Sequence, residues 1–362
     1  MAATMIGLAG TVARAQTPDL FPLLPLWDTT GIVRTGFGYK DNVELSHANP
    51  QGSAFFAGGA ELTVLHLDPF GPQFSLYATG DANEFFSRGL DGQYTAFSQA
   101  QIEKEFPSAI KAALAAQYFF QDQILDVSVT ETNREAIPVL GHTISLRPSA
   151  RMDLPRAFWL ALETPATRQF FAEPLDDYWQ AGAKLVVGQE FDRHSFVGAS
   201  YEPSWWTYDH DSALTASGNA ITNSHRERLQ QDLRLTWRQF WDVEKHWRTT
   251  MSFGWRVARE NGGGYYDYDR WSVTAQLLYR ARPWEISAEG RWARYDYDTQ
   301  TVSAADGALR RRNEWTLALR AERKLTRYLT VSASYEYEAT RSNDELEEYS
   351  VNTLTGSLNW QF

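Results

Sequence analysis

From Leu346 to Phe362 the chain reads LEEYSVNTLTGSLNWQF. Backwards from its end, Phe362, Trp360, Leu358, Gly356 and Leu354 alternate with Gln361, Asn359, Ser357, Thr355 and Thr353. A repeat of two sends successive side chains to opposite faces of a strand, so this stretch predicts a strand with one apolar and one wet face. The pattern returns over Tyr328 to Thr340, where Leu329, Val331, Ala333, Tyr335 and Tyr337 face away from Thr330, Ser332, Ser334, Glu336 and Glu338. It returns again at Trp315 to Ala321, Trp271 to Tyr279 and Leu229 to Arg238, the last with one lapse at Gln231. Such a chain is built from paired strands, and its class depends on what covers the apolar faces.

Turn signals divide the chain into strand pairs. These are Ser53 to Leu67 with Gln73 to Phe86, Gln93 to Phe106 with Ile110 to Val127, and Ala136 to Met152 with Arg156 to Phe171. Next come Asp176 to Phe191 with Ser195 to Tyr208, and His225 to Phe240 with His246 to Arg259. Tyr265 to Tyr279 pairs with Trp284 to Asp298, and Arg311 to Lys324 with Tyr328 to Arg341. Gly31 to Ser46 and the final strand bring the count to about 16, within a range of about 14–18, each long enough to cross a bilayer at a tilt. Turns within pairs are short; several connections between pairs are longer, as at Asp209 to Ser224, Glu260 to Gly264 and Thr299 to Leu309. No blade repeat at a fixed period appears, which argues against a propeller. About 16 strands closed on themselves leave a lumen too wide for side chains to fill, so water enters it. The charged face then lies inside and the apolar face against lipid. The expected fold is therefore all-β: a closed antiparallel transmembrane β-barrel with short periplasmic turns and longer extracellular loops. Pro148, Pro165 and Pro203 fall inside expected strands and predict bulges or strand ends, since proline donates nothing to a ladder.

The composition agrees with this. A net charge of −11 over 362 residues argues against nucleic-acid binding, which favours a basic face. No run of ~18 apolar residues predicts a spanning helix. Aromatic residues make up 14% of the chain, and their placement predicts interfacial belts. Trp241, Trp247, Trp284, Tyr328, Trp360 and Phe362 lie toward the short turns; Tyr265, Tyr266, Trp271, Trp292, Tyr295, Trp315 and Tyr337 lie toward the longer loops. The chain contains no cysteine, which excludes disulfides and thiolate metal sites. Met5 to Ala15 is short and apolar and ends in Ala13-Arg14-Ala15, an A-x-A pattern, so residues 1–15 read as a signal peptide without the usual basic start. Residues 16–30 then form a periplasmic lead-in and 31–362 the barrel.

The opening strand carries Gly36, Gly38, Tyr39, Asn42 and Val43 in a Gly-x-Gly-Tyr run followed by Asn-Val. This run, with the terminal Phe362, resembles a family of outer-membrane β-barrel porins of Gram-negative bacteria. The resemblance covers about a dozen residues plus the end of the chain. It implies an outer-membrane location, lipid and lipopolysaccharide as surroundings, and recognition of Trp360 and Phe362 by the barrel-assembly machinery.

Candidate chemistry is sparse. His142 and Ser145 are the seed of an acyl-transfer site, but a spacing of three on a strand sends them to opposite faces, and no G-x-S-x-G elbow appears. The histidines are scattered and form no zinc motif, so no cofactor or metal is expected. Asp209-His210-Asp211 reads as a solvated acidic loop, Gly262-Gly263-Gly264 as a flexible loop tip, and Arg310-Arg311-Arg312 as a strand end able to meet lipopolysaccharide phosphates or line a pore mouth. The functional candidates are the inward charges: Arg228, Arg234, Arg238, Arg256, Glu285, Glu289, Arg291, Arg320, Glu322, Glu336 and Glu338. Mixed charge across a lumen gives hydrated solutes a transverse field and polar partners. The expected function is passive or weakly selective passage of small hydrophilic solutes, without enzymatic activity. The alternatives are a conduit exporting a polysaccharide or other polymer with export-system partners, and a structural or adhesive barrel acting through its loops. The strand number is also that of barrels that assemble as homo-trimers.

Overall fold

The computed structural model describes residues 27–68, 71–132, 134–192, 194–302 and 307–362. The expected leader, and the lead-in up to residue 26, lie outside the described residues. Strands β1 (Trp27–Lys40), β2 (Ser53–His66), β3 (Gln73–Phe85), β4 (Gln93–Glu105), β5 (Ile110–Leu125) and β6 (Ile137–Asp153) form consecutive antiparallel pairs. Then come β7 (Phe158–Glu163), β8 (Ala166–Phe171), β9 (Tyr178–Gly182), β10 (Lys184–Phe191) and β11 (Ser195–Tyr208). The remainder is β12 (Glu227–Phe240), β13 (Trp247–Glu260), β14 (Tyr268–Ala281), β15 (Trp284–Thr301), β16 (Leu309–Lys324), β17 (Leu329–Ser342) and β18 (Tyr349–Gln361). β1 pairs with β18 from Ile32 opposite Gln361 to Lys40 opposite Thr353, so the sheet closes. Gly31 and Phe362 exchange backbone hydrogen bonds of 3.0 and 2.9 Å at one end of this seam.

All eighteen strands belong to one sheet, but β7 with β8, and β9 with β10, each fill a single place in the wall, which makes sixteen staves. The sequence pattern treats Arg156 to Phe171 and Asp176 to Phe191 as continuous strands; both are broken. The prolines explain where. In an antiparallel strand the N–H and C=O of one residue point to the same neighbour. Pro148 in β6 accepts from Thr164 N–H at 3.0 Å, so its absent donor also points at the gap between β7 and β8. Pro165 sits in that gap and accepts from Gly182 N–H at 3.0 Å. Pro203 in β11 accepts from Ala183 N–H at 3.1 Å and faces the gap between β9 and β10. The ladder lapses along one row where three of four successive staves carry a proline that cannot donate.

Other boundaries shift. The first strand runs Trp27–Lys40, not Gly31 to Ser46, so Asn42 and Val43 leave the ladder and are buried in the following loop. The last strand begins at Tyr349, after a short 3₁₀ turn at Glu345–Glu347.

The alternation sets the two faces. Outward lie Val33, Phe37, Leu62, Leu114, Ile144, Val187, Leu235, Phe253, Leu277, Leu319 and Leu358, all exposed on the outer wall. So much apolar surface is a liability in water and the expected finish in lipid. Trp247 lies against Tyr279 at 4.6 Å near the short turns, while Trp255 stacks on Trp271 at 5.8 Å and Trp292 meets Trp315 at 6.0 Å toward the loops. Two of the expected belt residues do not belong there. Tyr295 turns inward into a buried cluster with Ala258, Tyr268, Ala293 and Tyr297, and Tyr266 is buried in a loop.

Candidate pore and its inward loop

The charged residues singled out from the sequence take the inner face. Arg228, Arg234 and Arg238 lie on β12, Arg256 on β13, Glu285, Glu289 and Arg291 on β15, Arg320 and Glu322 on β16, and Glu336 and Glu338 on β17. In each strand they alternate with the lipid-facing residues. They are of two kinds. Arg256 pairs with Asp232 at 2.7 Å and Glu285 with Arg280 at 2.7 Å, while Arg291 pairs with Glu289 and Arg320 with Glu322. Glu338 accepts from the Tyr349 hydroxyl at 2.6 Å. Among the described residues, Arg228, Arg234, Arg238, Arg248 and Arg270 have no carboxylate within ion-pair distance. Arg228 instead lies over Trp206 at 4.1 Å, Arg238 over Phe196 at 5.0 Å and Arg270 over Tyr295 at 5.2 Å, and Arg248 donates to Gln276 at 3.2 Å.

Across the barrel the inner face is built differently. Gln117 donates to Gln99 at 2.6 Å, Gln99 to Gln101 at 3.2 Å and Gln101 to Glu103 at 3.4 Å, an amide chain over β4 and β5. Arg147 of β6 donates to Gln117 at 3.3 Å and is itself held by Glu163 at 2.6 Å, and Arg34 of β1 is held by Asp81 at 2.9 Å and Glu61 at 3.7 Å. One wall thus presents Arg234, Arg238, Arg248 and Arg270 outside ion pairs, with Arg228 buried at 5% exposure; the other presents amides, carboxylates and guanidinium groups already paired.

The connection between β5 and β6 crosses toward the first of these walls. Asp126 pairs with Arg312 of β16 at 2.6 Å, and Ser128 offers its carbonyl to Arg310 of β16 at 3.0 Å. Val129 packs against the tyrosine cluster of β14 and β15. The Thr130 carbonyl accepts from Arg226 at 3.3 Å, and the Glu131 carboxylate lies 3.4 Å from the same guanidinium. Arg134 pairs with Asp344 and donates to the carbonyls of Thr301 and Val302 at 3.3 Å. Residues from one side of the mouth are therefore tied to strands on the far side.

These ties are buried. Arg310 is 1% exposed and Arg312 2% exposed. Arg310 also holds Glu347, itself 2% exposed, with a contact of 2.6 Å. Two charges removed from water persist only with good geometry and saturated hydrogen bonding, and Arg310 adds Gln300 at 2.5 Å. Burial alone would raise the Asp126 carboxyl, but the Arg312 guanidinium and the Ser128 hydrogen bonds outweigh it and hold the group below its ordinary value. For Glu131 the balance is reversed: burial, with Asp211 nearby, outweighs Arg226 and pushes the carboxyl up to about 7.

The Arg310-Arg311-Arg312 run is thus divided by the pleat. Arg310 and Arg312 enter the buried network and are neither a solvated strand end nor a lipid-facing patch, while Arg311 alone points outward and is exposed. The sequence signal was present, since two inward arginines at a strand end call for acids, but nothing local said that Asp126 supplies one. His142 and Ser145 do face opposite ways: His142 meets Tyr118 on the outer wall at 2.8 Å, and Ser145 meets Thr167 on the inner face at 2.9 Å. Asp209 binds Arg168, and His210 Nδ1 lies 2.9 Å from Asp176, so this loop is tied down by side chains. Gly262 and Gly263 are not a free tip; Gly263 N–H donates to Leu214 O at 2.5 Å, and a Cβ on either glycine would strike the loop after β11.

No family model matches the sequence, and no curated protein matches it. Solved structures do match in shape. OccK9 (OpdG) of Pseudomonas aeruginosa aligns over 93% of this chain and 98% of its own, with a TM-score of 0.51 at 10% identity. A variant of OccD1 (OprD) aligns over 92% of this chain and 95% of its own, with a TM-score of 0.50 at 11% identity. At such identity the likeness is one of fold. Taken with the closed wall, the apolar outer belt and the polar interior, it gives this chain the fold of the transmembrane β-barrels found among outer-membrane porins.

Proposed function

We propose that the barrel is a passive channel for small hydrophilic solutes, with a preference for anionic ones. The observation that carries this is the row of inward arginines without carboxylate partners, Arg234, Arg238, Arg248 and Arg270, facing a wall of amides across the lumen; Arg228, 5% exposed, lies beneath the loop. A cleft lined by one sign of charge raises the local concentration of the opposite ion. The loop tied across the mouth narrows the path and brings a solute within reach of these groups. Glu289, Arg291, Arg320, Glu322 and Arg256, already paired, stiffen the wall; Glu336 and Glu338 set a local acidic patch on β17. Trp360 and Phe362 serve as the assembly signal read from the last strand.

Reversal potentials across a planar bilayer under a salt gradient test the proposal. The expected result is steady conductance with anion preference, which Arg234→Glu with Arg238→Glu lowers or inverts. Cation preference in the unaltered protein, or selectivity indifferent to the double substitution, would refute it. Conductance that appears only with added periplasmic partners would instead favour an export conduit.

A further inference from the structure

The outer wall over β14 to β17 is not flat. A cleft of about 580 Å³ opens there on the lipid-facing side. Ala275 and Gly290 form its floor, and Trp292, Trp315, Leu317 and Tyr337 its sides. The hollow exists because Gly290 has no side chain: a Cβ placed there would meet nothing within 4 Å. Its volume lies within the range of about 300–1,000 Å³ usual for small-molecule sites.

Cross-strand register fixes what stands above it. Trp292 faces Trp315, which faces Ala339. The next outward row on the loop side is Arg294, Asn313 and Arg341, in direct register, and Arg341 lines the cleft. From Trp284 to Trp292 the tilted strand rises about 20 Å, most of an apolar band. The arginine row therefore sits at headgroup level on the side of the long loops, which is the outer leaflet. Arg294 and Arg341 have carboxylate neighbours, Asp296 at 2.9 Å and Glu348 at 3.5 Å, but their side chains are 44% and 61% exposed. Exposed pairs of this kind contribute little, the forked Arg294–Asp296 contact more than the looser Arg341–Glu348 one, so a phosphate competes with both carboxylates. A guanidinium fork matches a phosphate in both charge and shape.

We propose that this face binds a phosphorylated glycolipid of the outer leaflet, one acyl chain lying in the cleft over Gly290 and a phosphate resting on Arg294 and Arg341. The experiment is native mass spectrometry of the detergent-purified full barrel titrated with bis-phosphorylated lipid A. Gly290→Leu fills the cleft without a backbone clash, and Arg294→Ala with Arg341→Ala removes the phosphate contacts; heat-modifiable migration verifies that each variant is folded. The expected result is one tightly retained lipid A per barrel, a bound fraction about tenfold lower in each variant, and no displacement by equimolar phosphatidylglycerol. Equal retention by folded Gly290→Leu, displacement by phosphatidylglycerol, or a lipid-free oligomer covering this face would overturn it.

Discussion

Replacing Arg312 with alanine tests whether the loop after β5 is held in place by charge. The guanidinium bridges Asp126 at 2.6 Å and Glu314 at 2.8 Å, and also bonds Ser128 and Thr340. Its removal leaves Asp126, 9% exposed at the side chain, without its partner. Breaking a buried pair in this way costs about 3–5 kcal/mol. The loop can relieve that cost by leaving the wall and letting Asp126 reach water. At about 1.4 kcal/mol per tenfold, even the lower bound raises the undocked population roughly 100-fold. Arg134 reports the change, because it is a trypsin site within the same loop and is sequestered by Asp344, Thr301 and Val302. When opening and closing are fast, cleavage follows the open population. The expected outcome is cleavage after Arg134 about 100-fold faster in Arg312→Ala than in the unaltered protein, scored by mass spectrometry on barrels that remain heat-modifiable. An unchanged cleavage rate in a folded variant would refute the argument that these ion pairs dock the loop.

Glu131 gives the same loop a pH dependence. Its carboxyl is pushed up to about 7 when docked, against an ordinary value near 4.5. Protonation therefore favours docking, with the benefit complete below about 4.5, lost as pH rises through about 7, and amounting to about 3 kcal/mol. Cleavage after Arg134, normalised to an unfolded control, should be faster at pH 8 than at pH 5, and Glu131→Gln should remove most of the slope; Arg226, Arg228 and Asp176 face the same pocket, and Asp211, whose carboxyl burial also raises, should leave the smaller remainder. At the closing seam, a Cβ on Gly36 would lie 2.3 Å from the Gly356 carbonyl oxygen, a backbone atom that cannot yield alone. Gly36→Val should cost at least the ~1–3 kcal/mol of core overpacking and sharply reduce the heat-modifiable species, whereas Gly356→Ala, with open space at its Cβ, should not.

The outer wall was legible in the sequence because lipid imposes one rule on it. Leu329, Val331, Ala333, Tyr335 and Tyr337 alternate for the same reason in β17 as Leu354, Leu358 and Trp360 do in β18. The inner face follows no such rule. Arg234 and Arg312 occupy equivalent places in the alternation, yet one is exposed to the lumen and the other is 2% exposed beneath a loop. The difference is made by Asp126, 186 residues away from Arg312, and period-two patterning carries no information about such a partner. Pro148, Pro165 and Pro203 were legible one at a time as ladder defects. That they fall along one row of four successive staves, and so split the two middle ones at one height, depends on register, which only pairing reveals. Tyr295 failed as a belt residue through parity: Arg294 and Asp296 take the outer face beside it, and the ring follows the inner one.

The seam between β1 and β18 also governs how the barrel comes into being. Its terminal rung joins Gly31 to Phe362, residues at opposite extremities of the described chain. The wall has free edges until that rung forms, and lipid tolerates no free edge. A partial wall therefore has no stable resting place in lipid on its own. Pairing of β1 with β18 must therefore complete the fold, and because it joins the most distant strands in sequence, loop-closure entropy weighs most heavily on that step.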